Sequence, residues 1–349
     1  MTWTGVGSNL NIDLGFNADF VWAKRRNGGD SHLVFDSARG EHKALRPDLN
    51  GAYQPNDYGL DFINNNTRLE ISGSEYLGGV GGGSPTFVAW SWRAGGAPTT
   101  DNVANGGNPG QTPTAGSVKI DGADFTGSLP TAGIYPTRMS VNTKAGFSII
   151  KYQGASASKI IPHGLNTAPE FIIIKNIENA NGWVVGSKYL SSWGHALDLS
   201  ESYGEFTAAS SFDSTAPTSN VFTLGNTEGA NNSSYNYIAY CWHSVPGYSA
   251  FGSVANLNND EFVYLGFKPA WVMIKRTSTT STWLIYDNAR NPHNVCDKLL
   301  RADTSGIETT FASLDLISNG FKARSLTGIS GGWLYMAFAE QPFTRNRAR

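Results

Sequence analysis

The chain repeats itself at a fixed spacing. Leu14-Gly15-Phe16 and Phe20-Val21-Trp22-Ala23-Lys24-Arg25 return 251 residues later as Leu265-Gly266-Phe267 and Trp271-Val272-Met273-Ile274-Lys275-Arg276. The same offset carries Leu33-Val34-Phe35-Asp36-Ser37-Ala38-Arg39 onto Leu284-Ile285-Tyr286-Asp287-Asn288-Ala289-Arg290 without a gap. A weaker middle copy reads Phe171-Ile172-Ile173-Ile174-Lys175. Trp183 follows its lysine by eight residues, as His32 follows Lys24 and Trp283 follows Lys275. Each copy closes on an aromatic-x-Ala-aromatic run around Ala89, Ala239 and Ala337, and these lie 65, 64 and 62 residues after the lysines. Recurrence of this kind marks repeated supersecondary units. The expected modules are 2–94, 146–245 and 246–343. Between the first two lies a Gly/Pro-rich extended linker, 95–145, holding a short strand at Ser117–Ile120. A basic tail, 344–349, follows the third.

The repeated runs are short, nearly continuous and apolar, ending in a base, which fits strands buried on both faces or at a sandwich core. Glycine is 40 of 349 residues and charged residues are 15%, against about 25% in an average soluble protein. This composition favours turns and strands over helices. The expectation is an all-β chain of three tandem β-sandwich, jelly-roll-like modules, with helix limited to a turn or two within 288–300. Leu314–Leu316, Ser318-Asn319-Gly320 and Phe321–Arg324 read as strand, turn, strand. The net charge of −2 offers no basic field for nucleic acid. The longest apolar run, Trp333–Ala339, is far short of the ~20 residues of a membrane helix. Neither a basic nor an apolar signal segment opens the chain.

Catalytic signatures are absent from the pattern. The six histidines lack metal-ligand spacing, no nucleophile motif is present, and the glycine run 78–83 lacks the Lys-Ser/Thr of a phosphate loop. No metal or cofactor is expected, and the chain reads as a non-enzyme. Asn256–Asp260 is an Asn-rich turn rather than a calcium loop. Cys241 and Cys296 are packing residues. Two candidate ligand-binding features remain. Asp36 with Arg39 recurs as Asp287 with Arg290, offering a carboxylate and a guanidinium, although a capped turn at a strand end explains the same pattern. Trp193 and His195, in the loop 191–195, offer an exposed ring for stacking on a sugar.

The runs LGFNADFVWAKRR, HGLNTAPEFIIIK, PTAGSVKIDGADFTG, VPGYSAFGS, GFKPAWVMIKRT and YMAFAEQPFTRNRAR together span the chain and resemble a family of repeat-bearing virion proteins of marine tailed bacteriophages. The resemblance implies a structural virion protein, a tail fibre or other host-facing appendage, with adhesion or receptor binding as its role. Capsid decoration and a polysaccharide-depolymerising tailspike are the alternatives. It carries no catalytic or binding residues. Its implied partners are other virion proteins and a host-surface glycan or protein, and its implied assembly is a homotrimer. A strand at 117–120 that needs a partner edge supports that assembly. Three tandem modules could instead mimic a trimer within one chain.

Overall fold

The computed structural model describes residues 1–341 except 54–59, 63–66, 73–75, 79–83, 258–259 and 325–329. Most of the glycine run, Asn258 and Asn259 of the Asn-rich turn, and the basic tail 344–349 therefore lie outside the described residues. Among the described residues the chain is all β, with no helix; 288–300 holds a turn and then the strand Cys296–Arg301.

Three sheets share one strand order. An opening strand (Thr2–Thr4, Phe147–Gln153 or Ser249–Asn256) pairs with a closing strand (Thr86–Trp92, Asn236–Trp242 or Ser330–Ala339). The closing strand pairs with a lysine strand (Phe20–Arg25, Phe171–Asn176 or Pro269–Arg276), and this with a fourth strand (Leu33–Asp36, Trp183–Ser187 or Leu284–Asp287). All these pairings are antiparallel.

Alternation along each lysine strand explains the apolar runs. Phe20 and Trp22, Phe171 and Ile173, and Trp271 and Met273 all enter one shared core. Their neighbours turn the other way. Val21 and Ala23 enter one private core, Ile172 and Ile174 a second, and Val272 and Ile274 a third. Each sheet is thus covered on both faces, as continuous apolar strands require. In the shared core Phe20 meets Tyr240 edge-on at 4.9 Å, Phe171 meets Phe251 at 5.9 Å, and Trp92 meets Trp271 at 5.6 Å. Every pair of sheets is joined by aromatic contact.

The private cores are closed by smaller strand sets. Leu10–Asp13, Arg68–Ile71 and Leu60–Asp61 form one, and Lys159–Pro162 with Val221–Leu224 another. In the third, Cys296–Arg301, Thr309–Ile317, Gly320–Ala323 and Phe262–Tyr264 continue the main sheet, which curls round its core like an almost closed barrel. The strand-turn-strand expected after Leu314 is the hairpin Thr309–Ile317 with Gly320–Ala323.

Two expectations need correction. Residues 95–145 are not an extended connection. Val118–Ile120 pairs in parallel with Arg138–Asn142, which pairs with Phe147–Gln153, so the stretch widens the second sheet. Val118, Leu129 and Ile134 bury in that module's private core. The partner edge sought for 117–120 is supplied by the chain itself, which removes the physical argument for a second subunit there. The crossing is tight at Gly95, where a Cβ would lie 2.5 Å from the carbonyl oxygens of Lys119 and Val141. The second correction is one of register. Ala23 faces Ala89 and Ile174 faces Ala239, but Ile274 faces Tyr335. Ala337 sits two residues beyond the position of Ala89 and Ala239. A shift of two keeps each side chain on its face. The matching residues are Trp92, Trp242 and Phe338, opposite Phe20, Phe171 and Trp271.

Candidate functional site

The residues around the three sheets touch one another in a cycle of recurring contacts. The residue eight after each lysine reaches into a neighbour. The Trp183 indole N–H donates to the carbonyls of Arg46 and Leu49 at 3.2 and 3.1 Å, and that of Trp283 to the carbonyl of Asp198 at 2.9 Å. His32 stands in the same place in module one. Its Nδ1 accepts the Trp22 indole N–H at 2.9 Å, so Nε2 carries the proton and donates to the Arg301 carbonyl at 2.9 Å. Module two thus holds module one, three holds two, and one holds three. The amides of Tyr53, Glu205 and Glu308 donate to the carbonyls of Ile177, Thr277 and Arg26 in the same cycle. Arg26 also forms a two-point ion pair with Glu308, both bonds 2.9 Å.

Lys24, Lys175 and Lys275 are fully buried beside these contacts. Lys175 Nζ donates to the carbonyl of Asn50 at 2.8 Å and to that of Asn181, and Lys275 Nζ to the carbonyl of Ser202 at 2.9 Å and to that of Ser281. Lys24 keeps to its own module, at 2.7 and 3.1 Å from the carbonyls of Arg25 and Gly28. Burial draws all three ammonium groups from 10.5 down to about 8.

The candidate ligand residues are placed as follows. Asp36, Arg39, Asp287 and Arg290 are buried, and their polar groups bond inside the chain. Asp36 accepts the Arg39 backbone N–H at 2.8 Å and its Nε–H at 2.5 Å; Asp287 accepts from Arg290 in the same way at 2.9 and 2.5 Å. Each pair also braces a neighbouring module. Tyr240 donates its hydroxyl to Asp36 at 2.7 Å, and the Arg290 guanidinium lies 5.6 Å from the centre of the Trp90 ring. Burial, then the Asp36 charge, pushes the Tyr240 phenol well above its usual range, so it remains a donor. The charged groups of both pairs thus engage contacts within the chain, and Asp287 also borders the cleft described below.

Trp193 was expected at the surface. It is buried instead, edge-on to Phe212 at 5.4 Å, because Gly186 has no Cβ to fill that space. His195 is half-buried, with Nδ1 2.9 Å from the Ser192 hydroxyl, so the loop presents the imidazole rather than the indole.

A cleft of about 700 Å³ opens between the first and third sheets, where the closing strands end. Its wall combines the aromatic rings of Phe16, Trp90, Trp92, Trp271, Tyr248 and Phe338 with polar groups from Asp13, Arg93, Asn142, Lys144 and Glu340. Ser91 Oγ and Trp90 Nε1, both in this wall, are buried without a hydrogen-bond partner. Concave sites with apolar walls and a few polar groups are the usual form of a binding site. Separately, Glu41, His42 and Asp61 bring three ligand-type atoms within 4.8 Å of one another, and the His42–Asp61 contact is 2.8 Å. Sequence spacing did not reveal this group because Asp61 comes from a distant strand.

No curated protein and no solved structure matches this chain. The family described as Domain of unknown function (DUF7483) matches residues 1–342, and the chain belongs to that family.

Proposed function

We propose that the chain is a structural virion protein of a tailed bacteriophage, carried on a tail fibre or other host-facing appendage, and that it acts by adhesion rather than catalysis. The observation that carries this reading is the closed ring of three modules. A single chain reproduces the geometry of a trimeric head, which suits the end of a threefold shaft. Its buried charged pairs, Asp36 with Arg39 and Asp287 with Arg290, brace module contacts. Its partners on this reading are other virion proteins and a glycan or protein of the host surface, with no cofactor. One copy completes the ring, so we propose a monomeric head in place of a homotrimer. Labelled antibody against the chain, imaged on intact particles, tests the location. Label at the tail is expected. Label over the capsid would support a decoration protein instead, and no label would overturn the virion reading. Release of reducing ends from host glycan by the purified chain would replace adhesion with depolymerase activity.

A further inference from the structure

Glu41, His42 and Asp61 meet on the outer side of the first module's smaller strand set. Leu60 and Phe62 bury in the private core, which turns Asp61, between them, outward. Glu41 and His42 are adjacent in sequence, and adjacent side chains of an extended segment diverge. His42 instead has a φ of +59°, in the left-handed region that histidine enters more readily than most residues. That bend brings its imidazole and the Glu41 carboxylate toward one point. The imidazole lies 2.8 Å from the Asp61 carboxylate, and one ligand-type atom from each of the three residues falls within 4.8 Å of the others.

The third module has the same strands here and a different charge. The offset of 251 carries Asn11 onto Phe262 and His42 onto His293. Asn11 faces Glu70, which faces Asp61; Phe262 faces Lys322, which faces Asp315. Asp315 therefore answers to Asp61, Lys322 to Glu70, and Arg324 to Ser72. Asp315 is neutralised by Arg324 at 2.5 Å, and Lys322 pairs with Asp260 at 2.6 Å. The loop of His293 docks through Asn294, whose side-chain amide exchanges two hydrogen bonds of 2.9 Å with the Leu316 main chain. In the first module both cationic positions of the strand have changed. Glu70 stands directly opposite Asp61, with Arg68 3.9 Å from Glu70, and exposed Lys43 takes the place of Asn294. Like charges directly opposite in a sheet are destabilising. The first module thus gathers carboxylates beside an imidazole where the third sets acid against base.

We propose that Glu41, His42 and Asp61 bind one divalent first-row transition-metal ion of the Zn²⁺ class, tying the loop after Arg39 to the strand Leu60–Asp61. One imidazole with two carboxylates suits such ions, whereas Ca²⁺ and Mg²⁺ favour oxygen ligands alone. Ligand atoms about 2.1 Å from an ion stand about 3 Å apart, which is already the scale of the His42–Asp61 contact. The ion takes the place of any proton shared by those two side chains. Glu70 adds negative charge behind the ligands. The role is structural, and the inference is independent of the virion reading.

The test is calorimetric titration of Zn²⁺ into the full chain after dialysis against a chelator. Uptake of one ion per chain is expected, with a higher melting temperature when it is bound. Asp61→Asn, and His42→Asn, which tolerates the left-handed backbone, should each weaken binding at least about tenfold. Glu70→Lys restores the charge pairing of the third module and should weaken binding severalfold without loss of fold. His195→Ala and His293→Ala should leave binding unchanged. No saturable uptake at about 100 μM Zn²⁺ overturns the proposal. So does binding that survives Asp61→Asn and Glu70→Lys, or that is lost with His195 or His293. Displacement of Zn²⁺ by millimolar Ca²⁺ would overturn the assignment of metal class.

Discussion

Raising the pH from about 7.5 to 9 is expected to stabilise this protein by about 3 kcal/mol, because three lysines are folded into the interior. Lys24, Lys175 and Lys275 ionise at about 8 in the fold and at 10.5 when exposed. Between those values the unfolded chain holds protons that the folded chain has released, so stability rises with pH. Each lysine contributes a little over ~1 kcal/mol across the interval. The thiols oppose this: burial pushes Cys296 up to about 12 and Cys241 higher still, from 9.0, so their effect grows as pH approaches 9 and removes about 1 kcal/mol in total. The Met1 amine, lowered by burial, adds to the lysines, while Tyr152, Tyr240 and Tyr248, all raised, act only toward pH 10. Urea unfolding at fixed ionic strength reads the effect directly. The midpoint should climb through the interval, and Lys275→Met should remove about a third of the slope, whatever it does to absolute stability. A midpoint that is flat or falling between pH 7.5 and 9 would refute the assignment of these lysines to a dehydrated interior.

Trp283→Phe replaces the buried indole by a smaller phenyl ring and deletes the N–H that reaches the Asp198 carbonyl, so it should cost at least about 1–3 kcal/mol in denaturant unfolding. Arg39→Met leaves the Asp36 carboxylate buried without its cation and should cost about 3–5 kcal/mol by the same measurement. Gly95→Ala forces a methyl against two carbonyl oxygens 2.5 Å away and should lower the melting temperature by several degrees. Size measurement in solution should return a mass of one chain, 37.5 kDa, at micromolar concentration.

The all-β character was legible because the same kinds of side chain face the same cores along Phe20–Arg25, Phe171–Asn176 and Pro269–Arg276. Lys24, Lys175 and Lys275 were legible as markers of equivalent strands, and the apolar runs before them as sheets covered on two sides. The closing strand was matched on alanine, whereas packing fixes its register through Trp92, Trp242 and Phe338, which is why Ala337 stood two positions out. The ring itself was not legible. Trp183, Trp283 and His32 reach carbonyls of Arg46, Leu49, Asp198 and Arg301, and a carbonyl acceptor leaves no trace in residue identity. The pairing of Val118–Ile120 with Arg138–Asn142 rests on main-chain partners in the same way, so composition alone makes residues 95–145 look like an extended linker. The cleft is assembled from residues far apart in the chain, among them Phe16, Trp92, Tyr248 and Phe338, so no spacing announces it.

Fusing three modules into one chain changes what a single substitution can do. In a ring of identical subunits every residue near the axis occurs three times, and any feature carved there is threefold. Here Phe20, Phe171 and Trp271 hold one equivalent position, and Trp22, Ile173 and Met273 another, so each can drift while the others compensate in volume. Features can then differ from one sector to the next. The cleft walled by Trp92, Trp271 and Phe338 is such a feature, formed between two of the three sheets.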